Sequence, residues 1–197
     1  RCLSRGLGDV YKRQAYDVST CAFVKDVDPD TDDLAGTSFG GRPDKSRYHV
    51  QGVEINPDGT KIFLVFNDYN GNGDGVKEYN LSTPYDIDTM SLVTSGGIHL
   101  SKGAAGFNPD AIFIGLNGKR LFVTDHDKYT VTQFTLHNPY DTSSFTEDGS
   151  VSIQDLTSDN NRQTRALGFS KSGLKMFVSD DEGDDEIFEF NLACPFN

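Results

Sequence analysis

Short apolar runs recur along the whole chain, and each is bounded by Gly, Asn, Asp or Pro. The clearest of them read KIFLVF from Lys61, RLFVTD from Arg120 and KMFVSD from Lys175. These runs are rich in β-branched and aromatic residues, and no longer window keeps the period of an amphipathic helix. The pattern therefore predicts short strands joined by turns.

The pattern repeats at a nearly constant interval. Aligning the turn glycines places Gly59, Gly118 and Gly173 in one column, at spacings of 59 and 55 residues. A second column holds the aromatic residue of a closing Pro-aromatic motif, at Tyr85, Tyr140 and Phe196. Recurrence at such a period indicates repeated architecture rather than a single site.

The sequence of each unit predicts three clear strands and a weaker fourth strand. The fourth strand would follow the Pro-aromatic turn, and would lie near Met90 in one unit and near Val151 in the next. Four antiparallel strands in about 55 residues are typical of a β-propeller blade. The predicted fold is therefore all-β, a partial β-propeller of about three four-stranded antiparallel blades over residues 15–197, with units ending near 85, 140 and 196. Because propellers close with about four to eight blades, we expect the remaining blades to lie outside this chain.

Residues 1–14 do not share the repeat pattern. They hold four of the 18 basic residues and one acidic residue. The stretch lacks the apolar region and cleavage site of a signal peptide. It resembles translated sequencing-adapter read-through, so we interpret it as a non-native leader on a metagenomic fragment.

The turn glycines have a conformational explanation. Each lies between the first and second strands of its unit, where a tight hairpin requires positive φ. The nearby lysines Lys61, Lys119 and Lys175 are expected to begin the second strand with solvated side chains. These motifs predict hairpins rather than sites.

The repeat core, [ND]-G-x-[KR]-[ILM]-F-[LV] with a closing NLSTPYD, resembles the YVTN and NHL-like β-propeller repeats of secreted and surface proteins of bacteria and phages. The resemblance covers residues 15–197 at the level of the repeat. It implies an extracellular or cell-surface location. The family hosts many functions, so the resemblance does not select one.

Charge and hydropathy narrow the range of partners. The formal net charge is -12 and the sequence pI is about 4.6, which argues against nucleic acid as a partner. The apolar runs are too short to insert into a membrane. Cations are the favoured small partners of such a chain.

A candidate calcium loop follows the second strand of the first complete unit, in NDYNGNGDG. Oxygen-bearing side chains stand at alternate positions, as a hard cation requires: Asp68, Asn70, Asn72 and Asp74. The pattern breaks at its twelfth position, which is Tyr79 rather than Glu. A calcium site and a long, glycine-rich hairpin both remain open.

Three further segments are candidates for function. The acidic run Asp26–Asp33 is compatible with a divalent ion or with a solvated loop, and the insertion after it predicts a ligand-facing loop. His126, between two aspartates, is the best histidine for a ligand or a general base. One position on the first strand of each blade is predicted to face the central channel of the propeller. It is occupied by Glu54, Phe113 and Gly168, so Glu54 is the only candidate there for a reactive or ligand-binding side chain.

Two cysteines outside the leader, Cys21 and Cys194, lie near the two ends of the repeat region. Cys194 lies two residues before the aromatic Phe196, and Cys21 lies five residues after the aromatic Tyr16. A single complete unit with cysteine at both positions could therefore form a disulfide that closes a short loop. Such a bond would indicate an oxidising compartment. Free buried cysteines are the alternative.

These observations predict a non-enzymatic, secreted or surface binding module for a protein or glycan ligand, with calcium as a stabilising ion. One alternative is a gluconolactonase-like hydrolase in which a metal in the channel polarises a lactone carbonyl. Another is a structural repeat of a larger adhesin or phage tail protein. The loops between strands are expected to carry recognition in the first case.

Overall fold

The computed structural model describes residues 22–26, 48–68, 74–100, 107–157, 163–181 and 186–193. These residues form three antiparallel sheets, and within each sheet the main strand order follows the sequence. The predicted partial propeller is confirmed. No helix in these ranges is long and apolar enough to cross a membrane.

The first sheet runs in the order β1-β2-β3-β4, and β5 pairs with the far part of β3. Its strands are β1 (Tyr48–Ile55), β2 (Lys61–Asp68), β3 (Gly75–Leu81), β4 (Met90–Leu92) and β5 (Ile98–His99). A single 3-10 turn, Ile87–Thr89, leads into β4. The fourth strand predicted near Met90 is therefore present, and the segment at β5 adds a further edge to the sheet.

The second sheet is a four-stranded meander. Its strands are β6 (Pro109–Gly115), β7 (Arg120–Asp125), β8 (Thr130–Asn138) and β9 (Asp141–Ser152). The fourth strand predicted near Val151 begins ten residues earlier than Val151, directly after the turn at Tyr140. Beyond Ser152 the chain leaves the sheet, and Ile153–Thr157 forms the short helix α1.

The third sheet contains three strands in the described residues: β10 (Thr164–Phe169), β11 (Lys175–Asp180) and β12 (Ile187–Asn191). Cys21 and Cys194 both lie outside the described residues, as do most of the acidic run and the insertion that follows it. The disulfide hypothesis therefore stays a prediction.

Apolar side chains that alternate along the strands fill the spaces between neighbouring sheets. One cluster joins the first and second sheets and includes Phe63, Val65, Ile112, Leu121 and Phe134. A second cluster joins the second and third sheets around Phe122, Val131, Ile153, Met176 and Val178. The first strands β1, β6 and β10 also neighbour one another. Face-to-face sheets with their first strands side by side are the blade arrangement of a propeller.

The repeated turn glycine and the repeated aromatic residue contact each other. Gly59, Gly118 and Gly173 all have positive φ, as predicted. A Cβ atom built on Gly118 would lie 2.3 Å from Cδ2 of Tyr140, and one on Gly59 would lie 2.4 Å from Cδ2 of Tyr85. Each tyrosine also donates its backbone N–H to the carbonyl oxygen of its glycine, at 2.9 Å for Tyr140 and Gly118 and at 2.8 Å for Tyr85 and Gly59. In the first two sheets, the turn glycine and the aromatic residue thus pack together at the end of the blade.

The expectation for the lysines is partly wrong. The second strands begin at Lys61, Arg120 and Lys175, so Arg120 rather than Lys119 holds the repeated position. Lys61 is not simply solvated, because its Nζ lies 2.5 Å from Oε1 of Glu78, whose side chain is 1% exposed. Each of these three basic residues pairs with a carboxylate of its own sheet.

Candidate functional site

A polar cluster lies where the second and third sheets meet, at the end of the blades where β6 and β10 begin. Its central group is Asp110, which is 7% exposed. Oδ2 of Asp110 lies 3.0 Å from Nδ1 of His126 and accepts a hydrogen bond from Nη1 of Arg165 at 2.8 Å. An acid, an imidazole and a guanidinium therefore meet at one oxygen atom.

Irregularities in the strands position the acid and the guanidinium. The pairing of β6 with β7 shifts between Pro109 and Ile112, and the pairing of β10 with β11 shifts between Thr164 and Leu167. A β-bulge redirects side chains and is frequent beside functional sites. Asp110 and Arg165 stand in these two bulges, so the same local distortion on two neighbouring blades presents opposite charges to each other.

The turn that carries His126 is held by Asp125. Oδ1 of Asp125 accepts the backbone N–H groups of Asn108, Asp127 and Lys128 at 3.1–3.2 Å. The Asp125 side chain is fully buried, and burial raises its pKa. These bonds tie the segment before β6 to the turn after β7, which fixes the imidazole relative to Asp110.

The third sheet completes the cluster through Arg165. Its Nε donates to Oδ2 of Asp181 at 2.7 Å, and its Nη2 donates to Oε1 of Gln163 at 2.8 Å. Its Nη1 also lies 3.3 Å from Nδ1 of His126. Across the boundary, the Thr164 hydroxyl donates to the Asp125 carbonyl at 2.8 Å. The arginine thus links the two blades through the polar cluster.

The electrostatics of the cluster favour a charged imidazole. The Asp110 carboxylate, hydrogen-bonded to Nδ1, raises the pKa of His126 above its ordinary value, although partial burial and the neighbouring Arg165 oppose this shift. Nε2 lies 3.1 Å from Oδ1 of the half-exposed Asp127. The second oxygen of Asp110, Oδ1, is buried and has no hydrogen-bond partner among the described residues.

The sequence pattern favours His126 as the best histidine but does not single out Asp110 and Arg165, which complete the site. They lie three residues before Phe113 and Gly168, in the column that begins with Gln51. That column holds an acidic and a basic residue at equivalent positions of adjacent blades, although their contact depends on the bulges.

In the column Glu54, Phe113 and Gly168, which was predicted to face a channel, Phe113 departs from the prediction. Phe113 packs between blades, with its ring centroid 4.8 Å from that of Phe169, and a Cβ atom on Gly168 would meet nothing within 4 Å. Glu54 pairs in register with Phe63 and is half-buried, and burial raises its pKa. Side chains of a radial sheet point to the neighbouring blades, which explains the error.

The candidate calcium loop lies largely outside the described residues, including Asn70 and Asn72 and the side chain of Asp68. Asp74, directly before β3, is fully buried. In the described ranges, no group of three His, Cys, Asp or Glu side chains is placed to share a metal ion. The calcium site therefore stays a prediction.

The sheets and the polar cluster at their junction define a β-propeller architecture. No protein-family model matches the sequence, and no curated protein matches it either. Among solved structures, the chain is similar to the periplasmic gluconolactonase of Pseudomonas aeruginosa, with a TM-score of 0.56 and 16% identity over 74% of this chain and 37% of that one.

Two other solved structures have comparable similarity. A proposed 6-phosphogluconolactonase of Bacteroides uniformis has a TM-score of 0.54 and 16% identity, over 81% of this chain and 42% of that one. The β-propeller domain of Cps50 from Myceliophteria thermophila has a TM-score of 0.50 and 10% identity, over 75% and 41%. The chain spans less than half the length of each structure. At such identities the likeness shows the propeller fold alone.

Proposed function

We propose that this chain is part of a gluconolactonase-like propeller that hydrolyses a neutral sugar lactone. The Asp110–His126 pair, presented by a β-bulge and crossed by Arg165, is the observation that carries the proposal. The similarity of fold to a gluconolactonase gives it secondary support.

His126 is the proposed general base. When the imidazole is neutral, its Nδ1–H donates to Asp110, and Nε2 accepts a proton from a water molecule that takes the place of the half-exposed Asp127 carboxylate beside it. The water oxygen attacks the lactone carbonyl, and the second N–H group on Nη2 of Arg165 donates to the developing oxyanion. The resulting imidazolium then returns the proton to the leaving ring oxygen, so the ring opens to a hydroxy acid.

The charge of the cluster decides the substrate class. Asp110, Asp127 and Asp181 outnumber Arg165 and His126, and the whole chain carries a net charge of -12. A phosphorylated or otherwise anionic sugar would be repelled by this surplus. A neutral polyol lactone fits better, because its hydroxyl groups can donate to the half-exposed carboxylates of Asp127 and Asp181.

The direct test is hydrolysis of gluconolactone, followed by acid release and corrected for the spontaneous reaction. Substitution His126→Gln should lower kcat/KM by about a hundredfold or more. His137→Gln is the matched control, since His137 hydrogen-bonds Ser144 and Thr146 on the outer strands and should leave the rate unchanged.

The pH profile gives a second readout. Because a neutral base is required, kcat/KM should rise with pH through the pKa of His126, and Asp110→Asn should move the midpoint to lower pH. Saturable binding of the lactone without turnover would support the binding module predicted from the sequence instead. Full activity of His126→Gln would exclude His126 as the base.

A further inference from the structure

The side chain of Asp127 lies against the nitrogen of His126 that the proposed reaction uses. Its Oδ1 is 3.1 Å from Nε2 of the imidazole, and its Oδ2 accepts a hydrogen bond from Nδ2 of Asn108. The backbone N–H of Asp127 donates to Oδ1 of the buried Asp125 at 3.1 Å. The backbone is therefore held in place, whereas the carboxylate is 48% exposed. A rotation of this short side chain exchanges one hydrogen-bond partner for another without moving the turn.

The contacts of the two ring nitrogens are those of a protonated His126. Nδ1 lies 3.0 Å from Oδ2 of Asp110, and Nε2 lies 3.1 Å from Oδ1 of Asp127. Since an ionised carboxylate only accepts hydrogen bonds, each nitrogen carries a hydrogen atom when it binds its carboxylate. The ring is then an imidazolium without a free lone pair. This arrangement holds the proposed base in its inactive form.

A neutral base requires the Asp127 carboxylate to leave Nε2. Loss of the Nε2 proton would place a nitrogen lone pair and a carboxylate oxygen, both acceptors, 3.1 Å apart. Rotation of the carboxylate removes this repulsion, but it also removes the N–H donor from the carboxylate. A hydroxyl group beside the rotated carboxylate supplies a donor again. Release of the base and binding of a hydroxyl group are therefore coupled.

The charges around the imidazole single out Asp127 as the group that moves. Among the described residues, Asp110 faces the ring from β6, Asp127 from the turn of His126 itself and Arg165 from β10. The two carboxylates raise the pKa of His126, and burial and the guanidinium oppose them. Asp110 is 7% exposed and is also bound by Arg165 at 2.8 Å, so it stays with the ring. Of the two carboxylates, Asp127 is the one that reaches solvent.

We propose that Asp127 is a specificity-determining residue: its carboxylate leaves His126 to accept a hydrogen bond from a hydroxyl group of the lactone, and so frees the base for a hydroxylated substrate. Once the carboxylate has left, the pKa of His126 falls, and Nε2 gives its proton to solvent water. An analogue without hydroxyl groups leaves the carboxylate and the imidazolium paired. This role depends on the proposed lactone hydrolysis and adds the group that selects the substrate.

The test compares two neutral six-membered lactones, D-glucono-δ-lactone, which carries hydroxyl groups, and δ-valerolactone, which carries none. Each kcat/KM is divided by the rate constant of spontaneous hydrolysis of the same lactone at the same pH. For the unsubstituted chain we expect a preference for gluconolactone of about a hundredfold or more. Asp127→Ala should reduce this preference about tenfold or more, with a lower kcat/KM for gluconolactone and a higher one for δ-valerolactone. A misfolded variant would not gain activity.

Asp181→Ala is the matched comparison. The Asp181 carboxylate is also 48% exposed, but it binds Nε of Arg165 rather than the imidazole. This variant should not raise kcat/KM for δ-valerolactone. An equal rise in both variants would trace the effect to the loss of negative charge and would overturn the proposal. An unchanged preference in Asp127→Ala would overturn it alone, whereas no hydrolysis of either lactone by the unsubstituted chain would overturn the hydrolase as well.

A measurement without substrate tests the contact between Asp127 and His126. The Cε1–H signal of His126, assigned by its loss in His126→Gln and followed by NMR as the pH of the full chain is changed, reports the pKa of the ring. Asp127→Asn should lower that pKa, because the variant removes the negative charge beside Nε2. An unchanged pKa would overturn the proposal whatever the result with the lactones.

Discussion

At the scale of single residues, Gly118 shows how local geometry limits substitution. Its φ is +90°, and a Cβ atom there would overlap the Tyr140 ring. We expect Gly118→Ala to lower the free energy of unfolding by about 1–3 kcal/mol from backbone strain, with the ring displaced in addition. Urea denaturation of the full chain measures this.

The control for that substitution is Gly168→Ala. Gly168 lies in β10, and a Cβ atom there meets no other group. Since alanine favours regular structure by about 0.5–1 kcal/mol over glycine, the variant should be as stable as the unsubstituted chain or slightly more stable. A loss at Gly168 equal to that at Gly118 would contradict the role assigned to the tyrosine contact.

His126 couples stability to pH. Asp110 and Asp127 raise its pKa in the folded state, and Arg165 opposes them. A raised pKa contributes stability that is fully present below the unfolded value of about 6.5 and is lost as pH rises through the folded value. The difference in free energy of unfolding between the unsubstituted chain and His126→Gln should therefore shrink from pH 5.5 to pH 8.5, as chemical denaturation at each pH would show.

The exposed His137 provides the comparison. Its replacement by Gln removes hydrogen bonds to the hydroxyls of Ser144 and Thr146 rather than to a carboxylate. If the His126 difference grew with pH, the sign of the assigned coupling would be wrong.

At the scale of elements, the turn between β8 and β9 connects two blades. The buried carboxylate of Glu78 accepts two hydrogen bonds from Thr142 of the next sheet. A double-mutant cycle of Glu78→Gln and Thr142→Val should give a coupling energy of about 1–2 kcal/mol. The measurement is urea unfolding of the four proteins.

The matched cycle replaces Lys175 and Glu189 with alanine. These two side chains are paired within the third sheet, but they are 44% and 50% exposed. Exposed pairs contribute at most about 0.5 kcal/mol, so this coupling should be small. Equal couplings in the two cycles would show that burial between blades adds nothing to the Glu78 contact.

The loop between β2 and β3 is the element to which the calcium prediction belongs. Isothermal titration of the full chain with Ca²⁺ should give saturable heat, because Asp68, Asn70, Asn72 and Asp74 offer oxygen ligands at alternate positions. Asp68→Ala with Asn72→Ala should abolish it, and Asp155→Ala, on α1, should not. Heat that survives the double substitution would remove this loop as the site.

At the scale of the whole molecule, the two interfaces between blades differ in how well they are filled. Among the described residues, the cluster between the first and second sheets contains twelve buried residues, whereas that between the second and third contains five. Local opening costs less where fewer apolar groups are buried. Hydrogen exchange followed by mass spectrometry should therefore be faster in β11 and β12 than in β2 and β7, after correction for intrinsic rates. Uniform protection would mean that the three sheets open as one unit.

The pattern of the sequence determined the blades because each blade is built from local contacts. Alternating apolar residues, turn glycines and Pro-aromatic motifs depend on neighbours in the same unit, so the first three strands of a blade and the positive φ at Gly59 and Gly118 could be predicted. The helix at Ile153–Thr157 could not, because Ile153 is held in the core between two sheets.

The site was decided by tertiary structure alone. Asp110 and Arg165 are 55 residues apart in sequence, and they meet because two β-bulges turn equivalent positions of adjacent blades towards each other. Both residues hold the same position of the repeat in the sequence, yet nothing in their separation along the chain predicts that their side chains touch. The Lys61–Glu78 pair also depends on tertiary structure, because a turn of the next blade buries it. A repeat pattern therefore determines each blade, and the packing of one blade on the next determines the chemistry between them.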